Sequence, residues 1–283
     1  MKGVIIAAGY GSRFLPITKT IPKEMLPIYN LPSIHFAIEE FIEAGIKDVI
    51  VVTSRRKKSL DDYFDIEFEL ETFFKNTDKE KIIKPFDINV CFVRQKRMMG
   101  VGNAILEASS FIGNDPFILL YPDDIVISKP SLSKKLVDTF LKTGKNVLAL
   151  LDKTGEDVSR FGVAKIRYRN DIIEIDRIVE KPKKGEEPSK YITIGRYLFT
   201  NELIKLLEEE WSKFNKEGEF YHISCINKLC NQGKVVGIEV KRDEFFDTGT
   251  PLEYAKSFIR YTLEYSDEKE EIGNWLKNYI GKS

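Results

Sequence analysis

Short, uninterrupted apolar runs alternate with helical stripes along the first 150 residues, and this alternation constrains the fold more than any other feature of the chain. The first run, Gly3 to Ala8, contains no polar residue and leads into Gly9-Tyr10-Gly11-Ser12-Arg13. A strand that is apolar on both faces belongs in the middle of a parallel sheet, where helices cover each side. Ile34, Ala37, Ile38, Phe41 and Ile42 then recur at helical spacing, Gly45 is placed to end that helix, and Val49 to Val52 form the next strand. Val90 to Val93 and Phe117 to Leu120 read as further strands, with a stripe of Val101, Ala104, Ile105 and Ala108 between them. Leu132 to Leu141 is a helix and Val147 to Leu151 another strand. Such repetition predicts an α/β chain built on an open, largely parallel sheet.

Residues 54–88 break the rhythm. They are charged and rich in Phe, and read as an insertion carrying one or two short helices. After residue 155 the strand-like runs shorten to Phe161 to Arg167, Ile172 to Glu180 and Ile192 to Phe199. Asn201 to Trp211 is a helix, Val235 to Val240 a strand, and Thr250-Pro251-Leu252-Glu253 opens a long helix with a capping box and Pro at its first position. Tyr261 to Ser283 offers another amphipathic segment. No internal repeat or long linker separates independent units, so one domain is expected over residues 1–265, with a helical extension over 266–283.

Composition removes several classes of function. Forty-four Lys and Arg balance 44 Asp and Glu, so no net field draws the chain to nucleic acid or an anionic membrane, and neither is expected as a partner. No apolar run approaches the roughly 20 residues that span a bilayer. The N-terminus enters a strand pattern at once, without the outline of a signal peptide. Cys91, Cys225 and Cys230 are too few for a disulfide framework and lack zinc spacing, and so read as reduced thiols of a cytoplasmic protein. With only His35 and His222, there is little room for histidine-based metal chemistry.

The Gly9-x-Gly11 loop lets backbone N–H groups approach a phosphate, and Arg13 can add a bidentate contact. Alone this is weak evidence. It is not the dinucleotide fingerprint, because no third Gly follows and Pro16 interrupts the helix start; nor does it end in the Lys-Ser/Thr of a P-loop.

Ala7 to Pro16, followed by Ile21-Pro22-Lys23-Glu24-Met25-Leu26-Pro27-Ile28, resembles the signature of nucleotidyltransferases that activate sugar 1-phosphates. The nearest likeness is to the bacterial-type UTP–glucose-1-phosphate uridylyltransferases (UDP-glucose pyrophosphorylases). It recurs in Val93-Arg94-Gln95-Lys96, Tyr121-Pro122-Asp123-Asp124, Arg160-Phe161-Gly162-Val163, Val179-Glu180-Lys181-Pro182, Gly195-Arg196-Tyr197 and Phe246-Asp247-Thr248-Gly249-Thr250. The resemblance implies a Rossmann-like, three-layer nucleotidyltransferase fold with a mostly parallel mixed sheet and a small sugar-binding lobe. The nucleotide part would cover about residues 1–155 and the sugar part about 156–250. It implies Mg²⁺-dependent transfer of UMP from UTP to glucose 1-phosphate, giving UDP-glucose and pyrophosphate, in a homo-oligomer. A thymidylyltransferase using dTTP and a non-catalytic nucleotide-sugar-binding regulatory protein stay open as other readings.

Residue by residue, the resemblance sets Ala8, Gly9, Gly11, Ser12 and Arg13 around the triphosphate, with Lys23 neutralising its charge. Gln95 would read the uracil edge, since an amide donates and accepts at once. Gly100 and Gly102 would let their loop approach base and ribose. Asp123, at the end of an apolar strand, would hold the metal, and Asp247 would be the second metal-side carboxylate, directly or through water. Asp124 is expected to point away from Asp123. Glu180 would accept from glucose hydroxyls and Lys181 meet the sugar phosphate, on opposite sides of a strand, while Gly162 allows a close backbone approach. Arg13, Lys23, Asp123 and Lys181 make up the catalytic set, offsetting the charge that builds as pyrophosphate leaves. Two departures from the family pattern stand out. Met99 to Asn103 replaces a Leu-Gly-Leu-Gly-His block, and Glu219 to Ser224 replaces Glu-Ile-Gln-Leu-Thr-Asp, which leaves the sugar's identity open. His222 reads as a residue of local packing or hydrogen bonding rather than a catalytic base.

Overall fold

Val4 and Ile5 are both fully buried, on opposite faces of the first strand, β1 (Lys2–Ile6). Val4 packs with the helices of one side and Ile5 with those of the other, so the middle layer of a three-layer structure is set by two adjacent side chains. The computed structural model describes residues 1–281; residues 282 and 283 of the expected C-terminal extension lie outside the described residues.

A hairpin of β2 (Pro27–Ile28) and β3 (Leu31–Pro32) precedes α1 (Ser33–Glu43) and β4 (Asp48–Thr53). The insertion holds three short helices rather than one or two: α2 (Lys58–Phe64), α3 (Phe68–Phe73) and α4 (Glu80–Ile83). Then follow β5 (Asn89–Arg94), α5 (Val101–Ile112), β6 (Phe117–Leu120), β7 (Asp124–Val126), α6 (Leu132–Thr143) and β8 (Asn146–Asp152). The later part contains β9 (Gly162–Arg169), β10 (Ile172–Glu180), β11 (Tyr191–Phe199), α7 (Glu202–Lys213), α8 (Ile223–Asn231), β12 (Val235–Val240) and β13 (Phe245–Asp247). It ends with α9 (Pro251–Tyr265) and α10 (Lys269–Ile280).

The main sheet has nine strands in the order β5-β4-β1-β6-β11-β8-β12-β10-β9. Only β10 and β11 run against the rest, so the expected mostly parallel mixed sheet is what forms. The second half builds no separate sheet, because β11 is inserted between β6 and β8. Ala104 and Ile105 of α5, Leu203 and Leu207 of α7 and Leu229 of α8 cover one face; Ile34, Ile38 and Phe41 of α1 and Leu136 of α6 cover the other. Thr250 caps α9 as its sequence promised, its hydroxyl accepting from the Glu253 amide at 3.3 Å.

Candidate functional site

In the order β4-β1-β6, the chain leaves β1 toward β4 and later returns on its other side at β6. A crevice therefore opens beyond the carboxyl ends of these strands, where open α/β sheets bind ligands. Ala8 and Gly9 follow β1, Gln95 follows β5, and Tyr121 to Asp123 follow β6. The cleft there has a volume of about 320 Å³ and is lined by Arg13, Asp123, Asp124, Glu180, Asp247 and Gly249 among others.

Two short strands assemble its acidic centre. β7 and β13 pair antiparallel with Asp247 opposite Asp124, and Thr248 clamps the Asp123 carbonyl through both its amide and its hydroxyl, each at 2.8 Å. Gly249 keeps the centre open. A Cβ there would lie 3.2 Å from Asp247 Oδ1, 3.7 Å from Asp123 Oδ2 and 3.8 Å from Arg13 Nη1. Arg13 is steadied by donating to the Gly249 carbonyl at 3.2 Å, and Lys23 Nζ reaches Asp123 Oδ2 at 2.5 Å. Burial pulls the Lys23 ammonium down, but Asp123 and Glu24 outweigh it and hold the pKa above the usual lysine value. Burial pushes Asp123 up, yet Lys23 outweighs it and the carboxyl titrates below the usual range. Partial burial, and next the charge of Asp123, raise the pKa of Asp247, with no close cation among the described residues to offset them.

Asp124 lines the same cleft, but its Oδ2 accepts from the Gly195 amide at 2.6 Å. Burial, and next the charge of Asp123, push its pKa to about 7. This turn rests on a buried ion pair that sequence reading missed. Arg196 Nε meets Glu40 Oε2 at 2.9 Å and Oε1 at 3.1 Å, while its Nη1 donates to the carbonyls of Tyr121 and Gly195, both at 2.9 Å. Glu40 lies on the apolar stripe of α1 between Ile38 and Phe41, the one cue that its carboxylate faces inward.

On the nucleotide side Gly11 has φ 64° and starts the turn Ser12–Phe14, where a Cβ would strike Thr18 at 2.9 Å. Gly9 has nothing within 4 Å of where a side chain would begin, so its backbone is open to a ligand. Lys23 shares a small neighbouring cavity with Gly9. The turn carrying Lys23 is anchored by Glu24, whose carboxylate is buried against Lys57 Nζ at 2.6 and 2.8 Å. Gln95 is buried, and its amide nitrogen donates to Gly100 O and to Asn103 Oδ1, both at 2.9 Å. Its donors thus hold the loop. Gly100 and Gly102 also have a packing task, because a Cβ at either would come within 2.8 Å of Phe220.

The far end of the cleft holds Glu180, Gly162, Thr193 and Tyr197. A Cβ on Gly162 would sit 3.1 Å from Glu180 Oε2, so this glycine leaves room beside the carboxylate. Burial raises the Glu180 pKa, and Lys181 counters only part of that. Lys181 does not face opposite to Glu180. It lies one residue past β10 at φ 46°, where strand alternation no longer holds, and its ammonium stands 3.8 Å from Glu180 Oε1 beside the Tyr221 ring. Ser224 is not on the cleft; the wall is made instead by Tyr221, His222 and Ile223, ahead of and entering α8. Ile223, Ile226 and Leu229 carry the helical spacing that could have revealed α8.

Similarity to known proteins follows this geometry. Residues 2–264 match the family model described as nucleotidyl transferase. A UTP–glucose-1-phosphate uridylyltransferase of Streptococcus pyogenes is 37% identical, the match covering 99% of this chain and 93% of the relative. A crystal structure of apo UDP-glucose pyrophosphorylase superposes with a TM-score of 0.85 at 36% identity, covering 92% of this chain and 97% of the other. The UTP-bound enzyme of Acinetobacter baumannii gives a TM-score of 0.86 at 29% identity, covering 97% and 98%. With an α/β sheet of that form and the acidic centre at its switch point, this chain belongs to the nucleotidyl transferase family, among the UTP–glucose-1-phosphate uridylyltransferases.

Proposed function

We propose that this chain transfers UMP from UTP to glucose 1-phosphate, releasing UDP-glucose and pyrophosphate. The observation that carries the reading is the convergence of Arg13, Lys23, Asp123 and Asp247, from four separate segments, on the space that Gly249 leaves open. The names of its relatives supply the nucleotide and the sugar.

A phosphate oxygen of the sugar phosphate, already ionised at pH 7, attacks the α-phosphorus in line. The new O–P bond forms as the bond to the pyrophosphate oxygen breaks, so neither an enzyme nucleophile nor a general base is needed. Arg13 and Lys23 bind the triphosphate over the open backbone at Gly9 and offset the charge gathering on the leaving group. Glu180 orients the hexose, and Lys181, exposed at the rim, meets its phosphate. Asp123 and Asp247 are a fitting donor pair for Mg²⁺, which takes one or two carboxylates and fills its shell with substrate phosphates and water. Held there, Mg²⁺ would supply positive charge to offset the negative charge of the reacting phosphates.

Among the described residues no helix is long and apolar enough to cross a membrane. We place the chain in the cytoplasm on the strength of its three free thiols, and in a homo-oligomer on the strength of exposed Phe68, Phe73 and Trp275.

Incubation with UTP, glucose 1-phosphate and Mg²⁺ should give UDP-glucose and pyrophosphate in equal amounts, and a chelator should stop it. Tight UTP binding with no pyrophosphate would make this a binding protein instead. Lys181→Ala should raise KM for the sugar phosphate by roughly 10-fold or more, as a phosphate loses a charge-assisted partner, and leave UTP affinity by calorimetry unchanged. A fall in UTP affinity would move Lys181 to the triphosphate. Gln95→Ala should lower kcat/KM for UTP and dTTP together and narrow the roughly 5- to 150-fold margin expected over CTP. If the UTP/CTP ratio stays fixed, Gln95 only holds its loop.

A further inference from the structure

His222 is 4% exposed and lines the cleft just ahead of α8, yet its Nδ1 is buried with no hydrogen-bond partner among the described residues. Its Nε2 lies 3.4 Å from the hydroxyl of Tyr121. Tyr121 and His222 both edge onto Tyr197, with ring centroids 5.8 Å away in each case. Every member of this trio faces the end of the cleft that holds Glu180 and Thr193.

Burial lowers the His222 pKa to about 4, so the ring is neutral at pH 7, with one N–H and one lone pair. Orphaned buried N–H groups are rarer than under-used acceptors. The hydrogen bonds therefore assign the proton to Nε2, which has an acceptor in Tyr121 Oη, and leave Nδ1 as the unused lone pair. A phenol oxygen that accepts from the imidazole must send its own proton elsewhere. A phenol keeps its proton at pH 7, so the Tyr121 hydroxyl has one to donate.

The backbone of Tyr121 is fixed in turn. Its amide donates to Gly195 O at 2.9 Å, Arg196 holds its carbonyl, and a Cβ on Gly195 would lie 2.5 Å from the Tyr121 Cβ. On the other side Asn227 of α8 clamps Ile178 through both its side-chain atoms, at 2.7 and 2.9 Å, two residues before Glu180. A donor and an acceptor are thus held rigidly across one small space.

We propose that Tyr121 and His222 form a specificity-determining pair for the sugar: His222 donates from Nε2 to Tyr121 Oη and turns the phenol O–H into the cleft, where it donates to one hydroxyl oxygen of the hexose 1-phosphate while Glu180 accepts from another. The pair rests on the uridylyl-transfer reading above. Tyr121 is the binding group, and His222 is a positioning residue that acts through it.

The test compares the wild-type protein with Tyr121→Phe, His222→Leu, His222→Gln and the double variant Tyr121→Phe/His222→Leu. Substrates are UTP with glucose 1-phosphate and its 2-, 3-, 4- and 6-deoxy analogues. Tyr121→Phe removes one oxygen and keeps the ring, so the outcome does not depend on the His222 variants folding. It should raise KM for glucose 1-phosphate by about 5- to 10-fold without moving UTP affinity, and the effect should vanish for one deoxy analogue. His222→Leu should show the same analogue pattern, His222→Gln should recover part of the loss by donating from its amide, and the double variant should be no worse than Tyr121→Phe alone. An equal loss with every analogue, or full additivity in the double variant, would overturn the pair. No turnover by the wild-type protein would overturn the uridylyl reading and the pair with it, and is seen before any variant is compared.

Discussion

Asp123→Asn is expected to lower kcat by about 100-fold or more while the melting temperature stays close to that of the wild-type protein. Its fold should survive because the carbonyl of residue 123, not its side chain, carries the two bonds from Thr248 that join β7 to β13. The loss falls on charge. An amide cannot hold a divalent cation as a carboxylate does, and it no longer anchors Lys23 Nζ at 2.5 Å. Activity within threefold of wild type at saturating Mg²⁺ would reject the assignment. Asp247→Asn should act in the same direction, since Asp247 Oδ1 borders the same space beside Gly249. A much smaller effect at 247 would mark a contact made through water.

The second large effect is on stability. Arg196→Met should cost about 3–5 kcal/mol, because it leaves Glu40 buried without its cation, and Tm should fall by about 10 °C. Both partners are almost wholly inaccessible, at 1% and 3% of the side chain. Ser133 also donates to Glu40 Oε1 at 2.6 Å, but a neutral hydroxyl does not replace a guanidinium. The same variant removes the donor from the Tyr121 and Gly195 carbonyls, so kcat should drop even below Tm. Adding Glu40→Gln to Arg196→Met should restore most of the Tm and little of the activity. Thermal denaturation and turnover, measured on the same preparations, separate the two roles.

The strands were legible because each carries its own record. Phe117–Leu120 is apolar at every position and Val235–Val240 nearly so, and neither needs a partner to be recognised. The acidic centre was legible only through motif likeness, since β7 and β13 are three residues each and their pairing joins positions more than 100 residues apart. The pairings of Glu40 with Arg196 and of Glu24 with Lys57 were not legible, although Glu40's place on the apolar stripe of α1 hinted that its carboxylate faces inward. A charged residue in one sequence reads as solvated, and nothing local says that its counter-ion will arrive from another element. The Glu180–Lys181 geometry was misread for a different reason: alternation holds within a strand, and Lys181 takes a left-handed conformation just beyond one. The insertion's three helices have 7, 6 and 4 residues, too short for a helical period to build up.

The central claim is uridylyl transfer, and kcat/KM for UTP, dTTP, CTP, ATP and GTP with glucose 1-phosphate in Mg²⁺, read as pyrophosphate release, tests it most directly. UTP should give the highest value, with CTP lower by roughly 5- to 150-fold for want of a matching imide edge, and dTTP limited by its 5-methyl group or its missing 2′-hydroxyl. A preference for dTTP over UTP would contradict the account.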